Sequence, residues 1–440
     1  VTMSSAATIE ASPCAPQGRW ERATSVAAFL VPALALWLPS GYSWGALLLL
    51  LLALANLHHW PRTLPRLSAG SWLLAAAILA MGLMWAIQAD AQAGSARWDR
   101  FSKYALALPC LGYALAHPPS AQALEKGLLA GCLGAGGIAL WQVYGLGMAR
   151  AAGHTNAIQF GNLALLLAVL AGIVLACHYQ RLRPGMRLGL VLAIGAAFGA
   201  SVLSLTRGGW LALLLLPLLA WPVLRLPGRQ PARASRTVWL ARPWAALLLV
   251  LLVPLAVSLP QVVQRLQLMG TEVAAYQAQG DASTSIGHRL EHWRLAWHMG
   301  QQKPWLGWGD AGYKQEKLRL AQAGQFDINT TYFDHAHNEV LDLFSKRGLL
   351  GVALLLAFYG VPLALFWPSR RRQAALLAAA PPPWQQAQWW ALRLMGSAIV
   401  LMYIGFGWTQ VFFAHNSGTM FYLFMLILCW AALCRLERRA

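Results

Sequence analysis

Charge is what this sequence has least of. Asp, Glu, Lys and Arg together make up 11% of its 440 residues, where soluble domains carry roughly 25%. That scarcity excludes an ordinary soluble enzyme of several domains. Acidic residues are scarcer still, 15 against 34 Lys and Arg. Cysteine is sparse too: Cys14 lies in the N-terminal tail, and Cys110, Cys132, Cys177, Cys429 and Cys434 lie in or beside apolar runs. Such a distribution excludes a disulfide framework. The first 23 residues hold no apolar core, so no cleaved signal peptide is expected. There is no repeat of fixed period and no D-x-D motif.

What fills the chain instead is apolar sequence, 58% of it, with 22 Trp. Uncharged runs such as Gly45–Asn56, Leu163–Cys177, Trp244–Leu259 and Gly348–Trp367 suit a bilayer. Hydrocarbon offers no hydrogen-bond partner, so each run must satisfy its own backbone and is expected to be helical. At about 20 residues per span, the pattern predicts an all-α polytopic membrane protein of about twelve transmembrane helices. They fall near 24–40, 43–57, 71–89, 101–116, 123–147, 160–178, 188–205, 209–224, 244–260, 348–367, 391–412 and 418–434. The first two are short enough to form a tight hairpin.

The positive charges orient these spans. Arg19 and Arg22, Arg62 and Arg66, Arg181, Arg183 and Arg187, the Arg225–Arg242 group, Arg370–Arg372 and Arg435–Arg439 all fall on one side of an even number of crossings. The positive-inside rule makes that side the cytoplasm. The division is roughly 20 basic and 4 acidic residues inside against 14 and 11 outside, which accounts for the net +19. Topology therefore explains the basic balance, and no nucleic-acid partner is implied. The expected organisation is a cytoplasmic tail (1–23), helices one to nine (24–260), a periplasmic catalytic loop (261–347), helices ten to twelve (348–434) and a cytoplasmic end (435–440).

That large loop between helices nine and ten holds nine of the 15 acidic residues, and structureless loops of such length are uncommon unless functional. Arg289, Trp293, Ala296 and Trp297 share one face of a helix at this spacing. A Gly/Trp segment follows, Trp305-Leu306-Gly307-Trp308-Gly309, then Asp334-His335-Ala336-His337-Asn338-Glu339. Asn338 suits the N-cap of the tenth span. Continuous helix from there to Trp367 would run about 45 Å and lift Lys346 and Arg347 above the hydrocarbon core.

Arg207, in Ser204-Leu205-Thr206-Arg207-Gly208-Gly209-Trp210, ends the seventh span at the outer face, Arg265 follows the ninth, and Arg289 sits on the loop helix. Arginine binds phosphate oxygens bidentately and stays charged, and a histidine nearby can accept a proton from an attacking hydroxyl. Each residue also has a plain structural reading. Interfacial arginines snorkel, His335 and His337 occur at caps and surfaces, and Gly208-Gly209 serves a tight turn. His288-Arg289-Leu290-Glu291-His292 matches the inverted zinc-protease pattern H-x-x-E-H, but the adjacent Arg289 would repel a cation. A transporter is a further alternative, though it would place charge near the bilayer midplane, whereas here the polar constellation is external.

In order and topology these pieces resemble the O-antigen ligase family (WaaL), within the group that includes Wzy polymerases and bacterial O-oligosaccharyltransferases. The resemblance rests on Thr206–Trp210, the Arg289/Trp293 helix, Leu306–Gly309 and His335-Ala336-His337-Asn338. It implies a GT-C-like fold in the bacterial inner membrane with both termini cytoplasmic and a periplasmic active site. It further implies transfer of a glycan from undecaprenyl pyrophosphate to lipid A–core, with inversion. His337, the second His of the family's H-x-H-N pattern, would be the base. Arg207, Arg265 and Arg289 would hold the pyrophosphate, with His335 and Asn338 beside it. The first outer loop, around Ser40–Ser43, carries no acid, so no metal or other cofactor is expected, arginines supplying the charge sink instead. The basic balance favours a ligase over a polymerase or a protein-directed transferase.

Overall fold

The computed structural model describes residues 18–59, 67–87, 97–224, 270–278 and 283–438. No strand occurs among them. The helices are α1 (Arg19–Leu34), α2 (Gly41–Ala55), α3 (Ala69–Ile87), α4 (Arg97–Ala116), α5 (Ala121–Leu140), α6 (Ala157–His178), α7 (Pro184–Leu203), α8 (Pro217–Leu224), α9 (Ser285–Gln302), α10 (Gly309–Gln322), α11 (Glu339–Phe366), α12 (Arg370–Ala379), α13 (Pro383–Gly407) and α14 (Asn416–Arg438). Eleven of the expected apolar runs coincide with helical segments; the run at 244–260 lies outside the described residues. Seven helices are long and apolar enough to cross a membrane, and two shorter apolar segments, Gly41–Ala55 and Gly208–Val223, accompany them. The protein is a multi-pass membrane protein.

Local chemistry sets the ends. Ser120, Asn156 and Thr284 cap α5, α6 and α9 through side-chain oxygens that accept backbone N–H groups, each worth about 1 kcal/mol. The hairpin of α1 and α2 closes through Ser40, whose backbone is left-handed. The 209–224 run is no simple α-helix: a 3₁₀ stretch, Gly208–Leu215, precedes α8. Pro217 and Pro222 each remove a backbone donor there. Helices α13 and α14 are enclosed on nearly every side, as helices that are apolar all round require. Helix α6, the 3₁₀ stretch and α11 pack against α13, and α4 packs against α14.

The largest departure from expectation lies in α11. Instead of one straight rod it breaks at Gly348 (φ 64°, ψ −161°). The preceding loop enters the break. Leu349 N–H donates to the Pro304 carbonyl (2.7 Å), Leu350 N–H to that of Trp305 (3.3 Å), and Trp308 N–H to that of Ser345 (3.0 Å). Backbone groups freed by the break are thus satisfied, as burial demands. Two glycines permit the interlock. A Cβ on Gly348 would overlap the Trp305 backbone, and one on Gly307, itself at φ +66°, would overlap that of Lys346. The 18 residues beyond the break, 349–366, span roughly 27 Å, close to the hydrocarbon thickness. Lys346 and Arg347, on the other side of the break, are buried within the protein.

Candidate active site

The segment 333–338 is pinned from below. Buried Lys317 of α10 donates to the Phe333 carbonyl (2.6 Å) and Lys346 of α11 to that of Asp334 (2.6 Å). Asp342 accepts from the Ala336 N–H (2.9 Å) and pairs with Lys346 (2.8 Å). A second buried pair, Arg347 with Asp310 (2.7 Å), ties α11 to α10. Asn338 caps α11 as expected, its side-chain oxygen accepting from Val340 and Leu341 N–H (both 3.1 Å), while its amide donates to the Trp408 carbonyl (3.2 Å). Glu339, one residue on, accepts from Phe412 (2.5 Å) and Phe413 (3.3 Å) N–H. The 408–415 connection between α13 and α14 is thereby bound to the start of α11.

His337 sits at the centre in a left-handed conformation (φ 53°), which costs an L-residue about 1–2 kcal/mol. Strain of this kind persists where surrounding contacts over-determine it and concentrates at functional sites. Only 7% of the residue is exposed. Its Nδ1 lies 3.2 Å from the Gln410 side-chain oxygen, and its Nε2 is buried with no hydrogen-bond partner among the described residues. Ring centroids of His335, Phe333, His292 and His288 stand 4.4, 5.0, 5.6 and 6.2 Å away. His415 lies 6.0 Å beyond His335. Burial, then His335 and Arg289, push His337 down to about 3. Burial and the neighbouring His288 and His337 take His292 to about 2, and burial with His335 and Arg100 takes His415 to about 4. The cluster is neutral at physiological pH, with lone pairs available.

Positive charge borders this neutral cluster. Arg289, on α9, lies close enough to depress both His288 and His337, and burial lowers its own pKa while Glu272 opposes that; an arginine so placed remains a cation. Arg207 follows a buried turn in which Thr206 donates to the Ala157 carbonyl (3.0 Å). Gly208 and Gly209 do more than turn the chain: a Cβ on Gly208 would sit 2.5 Å from the Thr409 hydroxyl oxygen, and one on Gly209 would overlap Asn162. Thr409 adjoins Gln410, the partner of His337. Gly208, the residue after Arg207, and His337 thus approach neighbouring residues of one connection, Thr409 and Gln410. Arg265 lies outside the described residues.

The Glu of the H-x-x-E-H pattern is engaged away from its two histidines. Glu291 turns to Tyr276 (2.5 Å), Arg294 (2.9 Å) and the Asp327 N–H (3.1 Å). Burial and this carboxylate push the Tyr276 hydroxyl up to about 12. His288 and His292 face each other at 3.2 Å beside His337. Among the described residues no three His, Cys, Asp or Glu are grouped to hold a metal. The face through Arg289, Trp293, Ala296 and Trp297 is helical as expected and mixed in exposure, Ala296 being buried and Trp297 exposed, while His292, Leu295 and Met299 are fully buried beside it.

Gln410, His415 and Phe333 carry no motif, and sequence reasoning passed over them. The one signal for Gln410 was a polar residue in Trp408–His415, a connection rich in aromatics.

Residues 192–356 match the family model described as O-antigen ligase. The matched segment carries Arg207, Arg265, Arg289, His335, His337 and Asn338 and stops short of Gln410. The chain is also similar to an uncharacterised protein of Haemophilus influenzae (strain ATCC 51907 / DSM 11121 / KW20 / Rd), 24% identical over 318 residues, 70% of each chain.

Proposed function

Since residues 192–356 make this chain a member of the O-antigen ligase family, we propose that it transfers a glycan from undecaprenyl pyrophosphate to lipid A–core at the periplasmic face of the inner membrane. The observation that carries this reading is the His337 Nε2: buried, neutral and unpartnered among the described residues, with arginine at its border. An acceptor hydroxyl placed against that atom gives up its proton as its oxygen attacks the anomeric carbon. The bond from that carbon to the pyrophosphate oxygen breaks, and its electron pair leaves with the lipid pyrophosphate. One displacement inverts the anomeric centre.

Arg207 and Arg289, with Arg265 by its sequence position, neutralise the departing charge, as preorganised donors do wherever charge develops in a transition state. Donor binding also tunes the base. Arg289 helps hold His337 low, and a bound pyrophosphate offsets that repulsion, so basicity rises once donor is present. His335 and Asn338 flank the base, Asn338 fixing the helix start behind it.

The test is transfer, in reconstituted membranes, from glycan-linked undecaprenyl pyrophosphate to purified lipid A–core. Wild type transfers, and folded His337→Ala does not. Lengthening of the lipid-linked glycan, or glycosylation of a protein, would overturn the acceptor; full activity in His337→Ala would overturn the base.

A further inference from the structure

We propose that Gln410 is a positioning residue that holds His337 in its Nδ1–H tautomer, so that the Nε2 lone pair faces the acceptor. The inference rests on the reading of His337 as base, and it begins with which end of the Gln410 amide points inward. One atom, assigned as Oε1, meets both the Val411 backbone N–H (3.2 Å) and His337 Nδ1 (3.2 Å). A backbone N–H only donates. An amide NH₂ in that position would set donor against donor, so the atom is the oxygen. An amide oxygen only accepts, and it has two lone pairs, one for each neighbour.

His337 Nδ1 must therefore carry the hydrogen. A neutral imidazole has one N–H, so Nε2 is left as the acceptor, and Nε2 is the atom found buried without a partner among the described residues. The other groups around the ring set no tautomer. His335 and Phe333 on its own segment, and His288 and His292 on α9, meet it through ring contacts. Arg289 acts on it by charge alone.

Gln410 is itself 3% exposed and held on both sides. Thr409 abuts Gly208, beside Arg207, and Phe412 N–H is bound by Glu339. The amide orients the base without adding a charge. A carboxylate in its place would stabilise the imidazolium and raise the proton affinity of the ring.

The experiment compares wild type, Gln410→Met, Gln410→Glu and His337→Ala in nanodiscs, by pH–rate profile and by ¹⁵N NMR of histidine-labelled protein. The His337 signals are identified by difference from His337→Ala. Wild type is expected to show protonated Nδ1 and bare Nε2. Gln410→Met, folded by its melting profile, is expected to mix the tautomers and lose about a hundredfold in kcat, the cost of misplacing a reacting group. Gln410→Glu is expected to move the acidic limb of the profile up by about one to three pH units, which a purely structural residue would not do. An unchanged tautomer in Gln410→Met, or an unmoved limb in Gln410→Glu, overturns the proposal. Full activity in His337→Ala removes the base and with it the catalytic half of the inference, while the ¹⁵N spectra still decide who sets the tautomer.

Discussion

Gly348→Ala probes the interlock behind the segment that carries His337. At φ 64° and ψ −161° the backbone occupies a region essentially reserved for glycine, where other residues pay of order 1–3 kcal/mol. The added Cβ would also overlap the Trp305 backbone, so the 304–308 segment must leave the break or the helix must deform. If the segment leaves, three backbone hydrogen bonds go with it, each worth about 1 kcal/mol net. The expected destabilisation is about 4–6 kcal/mol. Gly360→Ala is the matched control, since nothing lies within 4 Å of a Cβ there, and in mid-helix alanine gains roughly 0.5–1 kcal/mol over glycine. Heat unfolding of both variants in nanodiscs, followed by tryptophan fluorescence, gives the comparison, and hydrogen exchange at Leu349 and Leu350 reports the break directly. Transfer activity should fall with Gly348→Ala, because Lys346, which holds the Asp334 carbonyl, lies two residues away. Equal melting of the two variants, with wild-type exchange at 349–350, would refute the reasoning.

Other consequences are open to measurement. Arg289→Lys keeps the charge and loses bidentate geometry; kcat/KM for donor should drop roughly ten- to hundredfold, the kinetic equivalent of one charged hydrogen bond, and a wild-type value would remove Arg289 from donor binding. Stability should depend on acid with a definite sign. His337 and His292 are held at about 3 and about 2 when folded against 6.5 when free, so the unfolded chain binds protons that the folded one refuses. Their contribution is complete above pH 6.5 and is lost as pH falls toward the folded values. The melting temperature should therefore fall between pH 7 and 5, less steeply in His292→Leu, and an identical slope in that variant would count against buried neutral imidazoles. Incubation with a chelator should leave transfer intact if arginines carry the leaving-group charge; loss of activity restored by a divalent metal would contradict that.

Much of this was legible in the sequence because bilayer chemistry is unforgiving. Long uncharged runs have no alternative to helix, and Asn338 ahead of an apolar run reads as a cap from its side chain alone. The break at Gly348 was not legible, because Gly348-Leu349-Leu350-Gly351 offers no proline and continues the apolar pattern. Only the carbonyls of 304 and 305, donated from forty residues upstream, make the interruption favourable. His335 and His337 were readable as a pair. Their neighbours His288 and His292 were visible only as an unrelated pattern, since the fold alone sets α9 against the 333–338 segment. Gln410 belongs to the same class: a hydrogen bond across 73 residues leaves no local trace. The Gly208-Gly209 pair was legible as a turn, but its close approach to Thr409 and Asn162 is a tertiary fact.

The charged groups that hold the 333–338 segment are enclosed by protein. Lys346 and Asp342 are nearly inaccessible, and so is the Arg347 side chain that meets Asp310. Mobile ions screen charge only through the water they occupy, over about 8 Å at physiological strength. On the proposed periplasmic placement, the site meets a fluid whose salinity follows the surroundings of the cell. On the proposed function, ionic strength there would act on the encounter with an anionic lipid far more than on the enclosed pairs that present His337.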